Sequence, residues 1–199
     1  MPKECGGGLE PKQLCMVISA PGVLNMPDAG VPAGYALRPY REGDEMTLAA
    51  TLRAVGFRDF GVDRVLDTLA DSDRRTGSAV VAFEGGIVAS TFASRMPSDQ
   101  VSPVTGKPGE PQRQGVLDYV ATHPDHQGRG LGRATCTAVS RYLLAQGCEM
   151  VSLLTDDWRL PAIRLYLSLG FEPVMNREDM PERWARVRAE LEGHGNADA

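Results

Sequence analysis

Several classes of chemistry are poorly provided for in this sequence. Its four cysteines, Cys5, Cys15, Cys136 and Cys148, form no C-x-x-C pair, and its three histidines fall outside the spacing of helical metal ligands. No metal site is therefore expected, and the thiols are read as free. Positive charge is also short: 21 Lys and Arg against 26 Asp and Glu leave a net charge of −5 and a pI near 5.3. With no basic stripe to meet a phosphate backbone, nucleic acid is not an expected partner, whereas a mildly acidic surface tolerates a cationic amine. No apolar run approaches the roughly 20 residues of a membrane span. Nor does an apolar segment precede Gly6-Gly7-Gly8 as a secretory signal requires. A cytoplasmic chain without membrane association is the expectation.

What is present suits one globular unit: 199 residues, of which 42% are hydrophobic and 24% charged, suffice for a single core. Residues 1–34 carry Pro2, Pro11, Pro21, Pro27 and Pro32 besides the glycine run, and are read as a flexible or wrapping arm within which Met16 or Met26 could be the natural start. The folded domain is placed at 35–192, with a polar, disordered tail at 193–199. Tyr35 to Tyr40 alternates as a strand, and Pro39 confines it to an edge or end. Asp44 opens a helical stretch through Val55, and Val62 to Leu69 gives a second one. The runs 78–83 and 87–95, joined by Glu84-Gly85-Gly86, read as a hairpin, and residues 97–114 as a loop. A strand over 114–122 leads through a glycine loop to a helix over 131–146. A continuous apolar strand over 149–154, a helix over 161–169, a strand over 171–175 and a last helix bearing Trp184, Val187 and Leu191 follow. The interleaving predicts an α/β (α+β mixed) sheet packed with helices, and the apolar last helix could serve a homodimer.

The segment Gln127-Gly128-Arg129-Gly130-Leu131-Gly132-Arg133 places glycines at alternate positions where a strand yields to an amphipathic helix. Converging backbone N–H groups and the positive end of the helix dipole suit a pyrophosphate; the bland alternative is a tight turn into a helix. Two other phosphate loops fit poorly. Gly132-Arg133-Ala134 lacks the Lys-Ser/Thr of a P-loop, and five residues, His123 to Gln127, separate the strand from the first glycine, unlike a dinucleotide fingerprint.

The segment resembles the signature of the GNAT acetyltransferase superfamily, with Gln127, Gly130 and Gly132 at the matching positions. A second block, Ala162 to Phe171 with Tyr166 and Gly170-Phe171, is similar to that family's helix ending in Tyr-x-x-x-Gly-Phe. The resemblance covers about residues 35–175 and implies a GNAT-like acyl-CoA N-acyltransferase fold. It also implies acetyl-CoA as co-substrate, without metal, and a small-molecule or peptide amine as acceptor. Cofactor contacts would come from the backbone of Val120, Ala121 and Thr122 and from the glycine loop. Arg129 and Arg133 could neutralise phosphates or be solvated. Two departures stand out: Arg159 occupies the place of a cofactor-contacting Asn and could reach a phosphate instead, and a C-terminal helix stands where the family usually ends in a seventh strand.

By the same resemblance Tyr166 takes the position of the general acid, although its spacing with Ile163 and Leu169 also suits a core tyrosine. Asp118 is the candidate base, because strand alternation puts it on the face shared by Val120 and Thr122. A solvated or salt-bridged carboxylate is the alternative, with Glu84, Asp156, His123 and His126 as competitors and Trp158 as a residue that could line the acceptor pocket. Rival functions are an acyl-CoA-binding regulatory protein with weak catalysis and a different nucleotide-binding enzyme.

Overall fold

The computed structural model describes residues 13–96, 100–106 and 113–195. Cys5, the glycine run at 6–8, half of the expected 97–114 loop and the last four residues of the expected tail lie outside them.

A seven-stranded sheet forms the frame. In chain order its strands are β1 (Leu14–Ser19), β2 (Tyr35–Pro39), β3 (Ala79–Phe83), β4 (Gly86–Arg95), β5 (Gln114–Thr122), β6 (Met150–Thr155) and β7 (Glu172–Pro173). Their spatial order is β2-β3-β4-β5-β6-β1-β7. All the pairings are antiparallel except β5 with β6, which is parallel. Pro39 ends the edge strand β2, where its missing N–H costs no ladder bond. Glu84 and Gly85 join β3 to β4 with φ of 48° and 82°, the geometry of a type I′ hairpin turn.

The helices are α1 (Ala20–Leu24), α2 (Glu45–Ala54), α3 (Val62–Thr68), α4 (Ser72–Gly77), α5 (Leu131–Ala145), α6 (Leu160–Ser168) and α7 (Met180–Gly195). On one face, α1, α5, α6 and α7 bury Val23, Val139, Leu143, Ile163, Trp184 and Val187 against Leu14, Met16, Val151 and Leu153 of the sheet. On the other, Leu48 and Leu52 of α2 and Val65 of α3 pack with Val80, Ile87, Phe92 and Ala121. Asp44 does stand at the start of α2, but its carboxylate accepts from Arg38 and the Arg41 N–H rather than capping the helix.

The structure corrects three expectations. The N-terminal segment is not an arm from Leu14 onward: β1 lies between β6 and β7, with Leu14 and Met16 fully buried. Proline density misled here because the breakers flank Leu14–Ser19 without entering it, and Pro21 sits in the first turn of α1, which needs no N–H. The seventh strand therefore comes from the N-terminal side of the domain, while the C-terminal segment is the helix α7, which continues past residue 193 to Gly195. Finally, β6 is buried on both faces only in part, with Ser152 2% exposed on the face opposite the core. Val151 and Leu153 enter the core, whereas Leu154 stays 49% exposed on the opposite face.

Candidate active site

The glycine loop is built as an anion cradle. Gly128 and Gly130 take φ of 73° and 77°, a region that costs an L-residue with a Cβ about 1–2 kcal/mol. A Cβ at either would meet nothing within 4 Å, so backbone conformation and not crowding selects glycine at these two positions. At Gly132 a Cβ would meet Leu165 Cδ2 at 3.2 Å and Thr122 Oγ1 at 3.3 Å, so α5 starts hard against β5 and α6. The first intrahelical donor of α5 is the Ala134 N–H, which donates to Gly130 O at 3.0 Å. The N–H groups of Leu131, Gly132 and Arg133 precede it, no side chain caps the helix, and no acidic residue stands in the first turn. These are the groups an anion would meet.

Beside the loop, β5 and β6 separate. Their parallel pairing runs from Gln114↔Met150 to Val116↔Ser152 and stops. Beyond it a cleft of about 220 Å³ opens between the strands, lined by Leu117 to Val120 on one side and Leu154 to Asp156 on the other. Tyr166 of α6 closes it from the α5/α6 face, and Phe57 and Arg159 line it from the α2/α3 face. The backbone of β5 bulges here: Ser90↔Ala121 is followed by Phe92↔Asp118, so β5 has one residue more than β4, and Tyr119 sits at φ 47°. Tyr119 turns its ring onto Phe57, Phe60 and Phe92, with centroids 5.5, 4.7 and 5.5 Å away.

Charges around the cleft are matched. Arg74 of α4 donates to Asp118 Oδ2 at 2.7 Å. Asp156 accepts from Gln13 Nε2 at 3.0 Å and from Arg159 Nε at 3.1 Å. Tyr166 is 5% exposed, and burial, with Cys136 adding to it against the opposing pull of Arg159, raises its phenol far above the ordinary tyrosine value. It stays protonated, as a proton donor must. Among the described residues no cluster of His, Cys, Asp and Glu could hold a metal ion, and no helix is long and apolar enough to cross a membrane.

A sequence model of the Acetyltransferase (GNAT) family matches residues 46–171, which include the cradle and every residue lining the cleft except Gln13. The chain belongs to that family. A mycothiol acetyltransferase of Frankia casuarinae is 28% identical over 169 residues, covering 81% of this chain and 47% of that protein. Among solved structures, a GCN5-related N-acetyltransferase from Sphaerobacter thermophilus superposes with a TM-score of 0.59 at 19% identity, over 82% of this chain and 49% of that one. A putative acetyltransferase from Salmonella typhimurium, solved with acetyl-CoA, superposes with a TM-score of 0.56 at 18% identity, over 70% of this chain and 80% of that one. The chain spans about half the length of the curated relatives it matches.

Within this GNAT fold the sequence-derived residues separate into groups. Asp118, Val120 and Tyr166 line the cleft, and Ala121 and Thr122 continue β5 toward the loop. The alternation argument for Asp118 does not hold: the bulge shifts the phase, so Val120 packs with the α5/α6 core while Tyr119 and Ala121 face α2 and α3. The Gln127 side chain donates to Thr122 O at 3.2 Å, anchoring the loop to the strand. Arg129 lies over the Tyr35 ring and Arg133 donates to Ser168 Oγ at 2.8 Å.

Arg159 is not brought to the glycine loop. Leu165 and Ser168 are the α6 residues that touch Gly132 and Arg133, and Arg159 lies six residues earlier, about 9 Å along the helix. It stacks instead on Phe57 and Trp158, at 5.5 and 4.6 Å. Of the competing bases, Asp156 lines the cleft, whereas Glu84 sits in the hairpin turn and His126 bonds Tyr35 Oη at 2.9 Å. His123 Nδ1 accepts from the Asp125 N–H at 3.4 Å. Asp157, just ahead of α6, pairs with Arg183 of α7. Sequence reading missed Phe57, Phe60, Tyr119 and Arg74. The aromatic residues were visible in the sequence, but only the bulge gathers them.

Proposed function

We propose that the protein is an acetyl-CoA-dependent N-acetyltransferase acting on a primary amine. The observation that carries this reading is the opening of β5 from β6 beside an uncapped, glycine-built helix N-terminus. An extended thioester ligand fits that pair of features, with its pyrophosphate on the N–H groups of Leu131, Gly132 and Arg133 and its amide-bearing arm along β5. Bound there, acetyl-CoA supplies an activated acetyl group. Val120, Ala121 and Thr122 offer main-chain groups to the arm, and Gln127, Gly128, Arg129 and Gly130 shape the phosphate end. Tyr166, held protonated at physiological pH by its burial, stands where it can donate a proton to the departing thiolate. Asp118, held by Arg74 on the cleft wall, takes the proton of the attacking amine directly or through a water. Arg159, stacked on Phe57, belongs to the acceptor side.

The relatives named mycothiol acetyltransferase support a small-molecule amine as acceptor. A cytoplasmic enzyme accords with this reading, whereas the apolar stripe of α7 that could have served a homodimer is buried against the chain's own core. The test is free-thiol release from acetyl-CoA against a panel of aminoglycosides, polyamines, amino acids and short peptides. Amine-dependent release with a mass gain of one acetyl group on the acceptor is the expected result. Tight CoA binding with no amine-dependent release across the panel would favour a regulatory acyl-CoA binder.

A further inference from the structure

The cleft is not an isolated pocket. A larger cavity, of about 490 Å³, adjoins it, and Gln13 and Leu154 line both. Its floor is the sheet face left open by α2 and α3: Cys15 and Leu154 are cross-strand partners, and both point away from the core that takes Leu14, Met16 and Leu153. Val101 and Pro103 form one wall and Met180 of α7 another. The polar neighbours are already engaged. Asn176 Nδ2 donates to Pro103 O at 2.6 Å, Ser102 Oγ donates to Gln114 Oε1 at 2.6 Å, and Arg177 binds Asp179 and the Gln13 carbonyl. What the cavity presents to a ligand is therefore apolar, with Val101 61% and Leu154 49% exposed.

We infer that this cavity receives an apolar portion of the acceptor, so that the substrates are primary amines bearing an alkyl or aryl group at a set distance from the nitrogen. The inference rests on the acetyltransferase reading of the cleft. Because the cleft lies between β5 and β6 and the cavity lies over β6 and β1, their centres are one to two strand spacings apart, roughly 5–10 Å. In an extended peptide that is two to three residues. A dipeptide amide with a free amino group and an apolar second residue has the right reach. Seating the apolar group there removes Val101 and Leu154 from water, which favours such an acceptor over one ending in hydrogen.

The experiment compares kcat/KM for glycyl-leucinamide and glycyl-glycinamide at saturating acetyl-CoA, in the wild-type chain and in Val101→Asp and Leu154→Asn. Both positions are exposed enough for the variants to fold, which a thermal melt checks. The leucine acceptor should be preferred by about tenfold or more in the wild type, the scale of a small apolar group in a hydrophobic pocket, and both variants should collapse that ratio toward one. Equal rates for the two acceptors in the wild type would overturn the inference and leave the acetyltransferase reading standing. Absence of thiol release with every amine would remove both. If the variants instead alter the preference between hexanoyl-CoA and acetyl-CoA while the acceptor ratio persists, the cavity holds an acyl chain and the inference is wrong.

Discussion

Replacing Tyr166 by Phe separates chemistry from packing. The ring is 5% exposed and meets Phe171 edge-on, centroids 6.0 Å apart at 62°, and phenylalanine preserves those contacts. Removing the hydroxyl costs stability no more than an ordinary hydrogen bond, about 1 kcal/mol. Its catalytic cost differs in kind. Positioned acid catalysis is worth on the order of 10²–10⁴ in rate, and since a thiolate leaves readily the effect falls at or below the low end, about tenfold to a hundredfold in kcat. That corresponds to about 1.4–2.7 kcal/mol of barrier. The direction of the pKa shift adds a pH signature: burial holds the phenol protonated well above its usual range, so it does not titrate between pH 6 and 9. The ratio of wild-type to variant rates should then be flat across that interval. The assay is single-turnover thiol release at saturating acetyl-CoA and amine, with CoA affinity measured in parallel. A Tyr166→Phe protein with wild-type kcat throughout would return Tyr166 to the core, and a change confined to CoA affinity would make it a packing residue of the cleft.

Three further outcomes are expected. Gly130→Asp should weaken CoA binding at least tenfold by calorimetry and more than Gly130→Ala does, because both strain a φ of 77° but only the aspartate competes with phosphate for the α5 N–H groups; equal affinities would remove the loop from the cofactor site. Leu14→Ala should cost about 3 kcal/mol and lower the melting midpoint by roughly 6–12 °C, while Leu24→Ala at a 71% exposed position should change stability by less than about 0.5 kcal/mol; similar small effects would mean that β1 adds nothing to the fold. Asp157 is held below its ordinary pKa, chiefly by its hydrogen bond from Arg183, so its contribution is present above the unfolded aspartate pKa near 4 and is lost as pH falls through the lower folded value. Asp157→Asn should accordingly be less stable at pH 7 yet lose less on acidification to pH 3, as urea unfolding at the two pH values would report.

The sequence revealed those parts of the site that depend on backbone chemistry at fixed positions. Gln127 to Gly132 declared a cradle because positive φ and close approach demand glycine, and the alternating runs from Tyr35 to Arg95 declared the first half of the sheet. It was silent where long-range geometry decides. Leu14–Ser19 is a short apolar run between breakers, and nothing local says that it pairs with Met150–Thr155 across more than 130 residues. Asp118 kept its place in the cleft although the alternation offered for it was wrong, since one extra residue at Tyr119 reverses every inside-outside assignment beyond it. For Arg159, motif position pointed to the cofactor phosphate, and only the folded chain shows its side chain paired with Asp156 and stacked on Phe57.

The bulge also explains why the cleft stands open in the protein by itself. Holding Tyr119 in the left-handed region costs about 1–2 kcal/mol, yet its ring gains contacts with Phe57, Phe60 and Phe92 worth about 0.5–1.5 kcal/mol each, besides Arg74 at 6.0 Å from its centroid. The aromatic contacts outweigh the backbone strain without help from a ligand. Residue Asp118 is thereby pinned from two sides, by the bulge that follows it and by the Arg74 guanidinium that grips it, and the pairing of β5 with β6 ends two residues earlier at Val116. On the far side, β6 keeps its full register with β1, so the N-terminal strand holds the outer wall in place while the inner wall bends away. An opening fixed by these two opposed constraints is preorganised: binding an extended ligand there need not first break a strand pair.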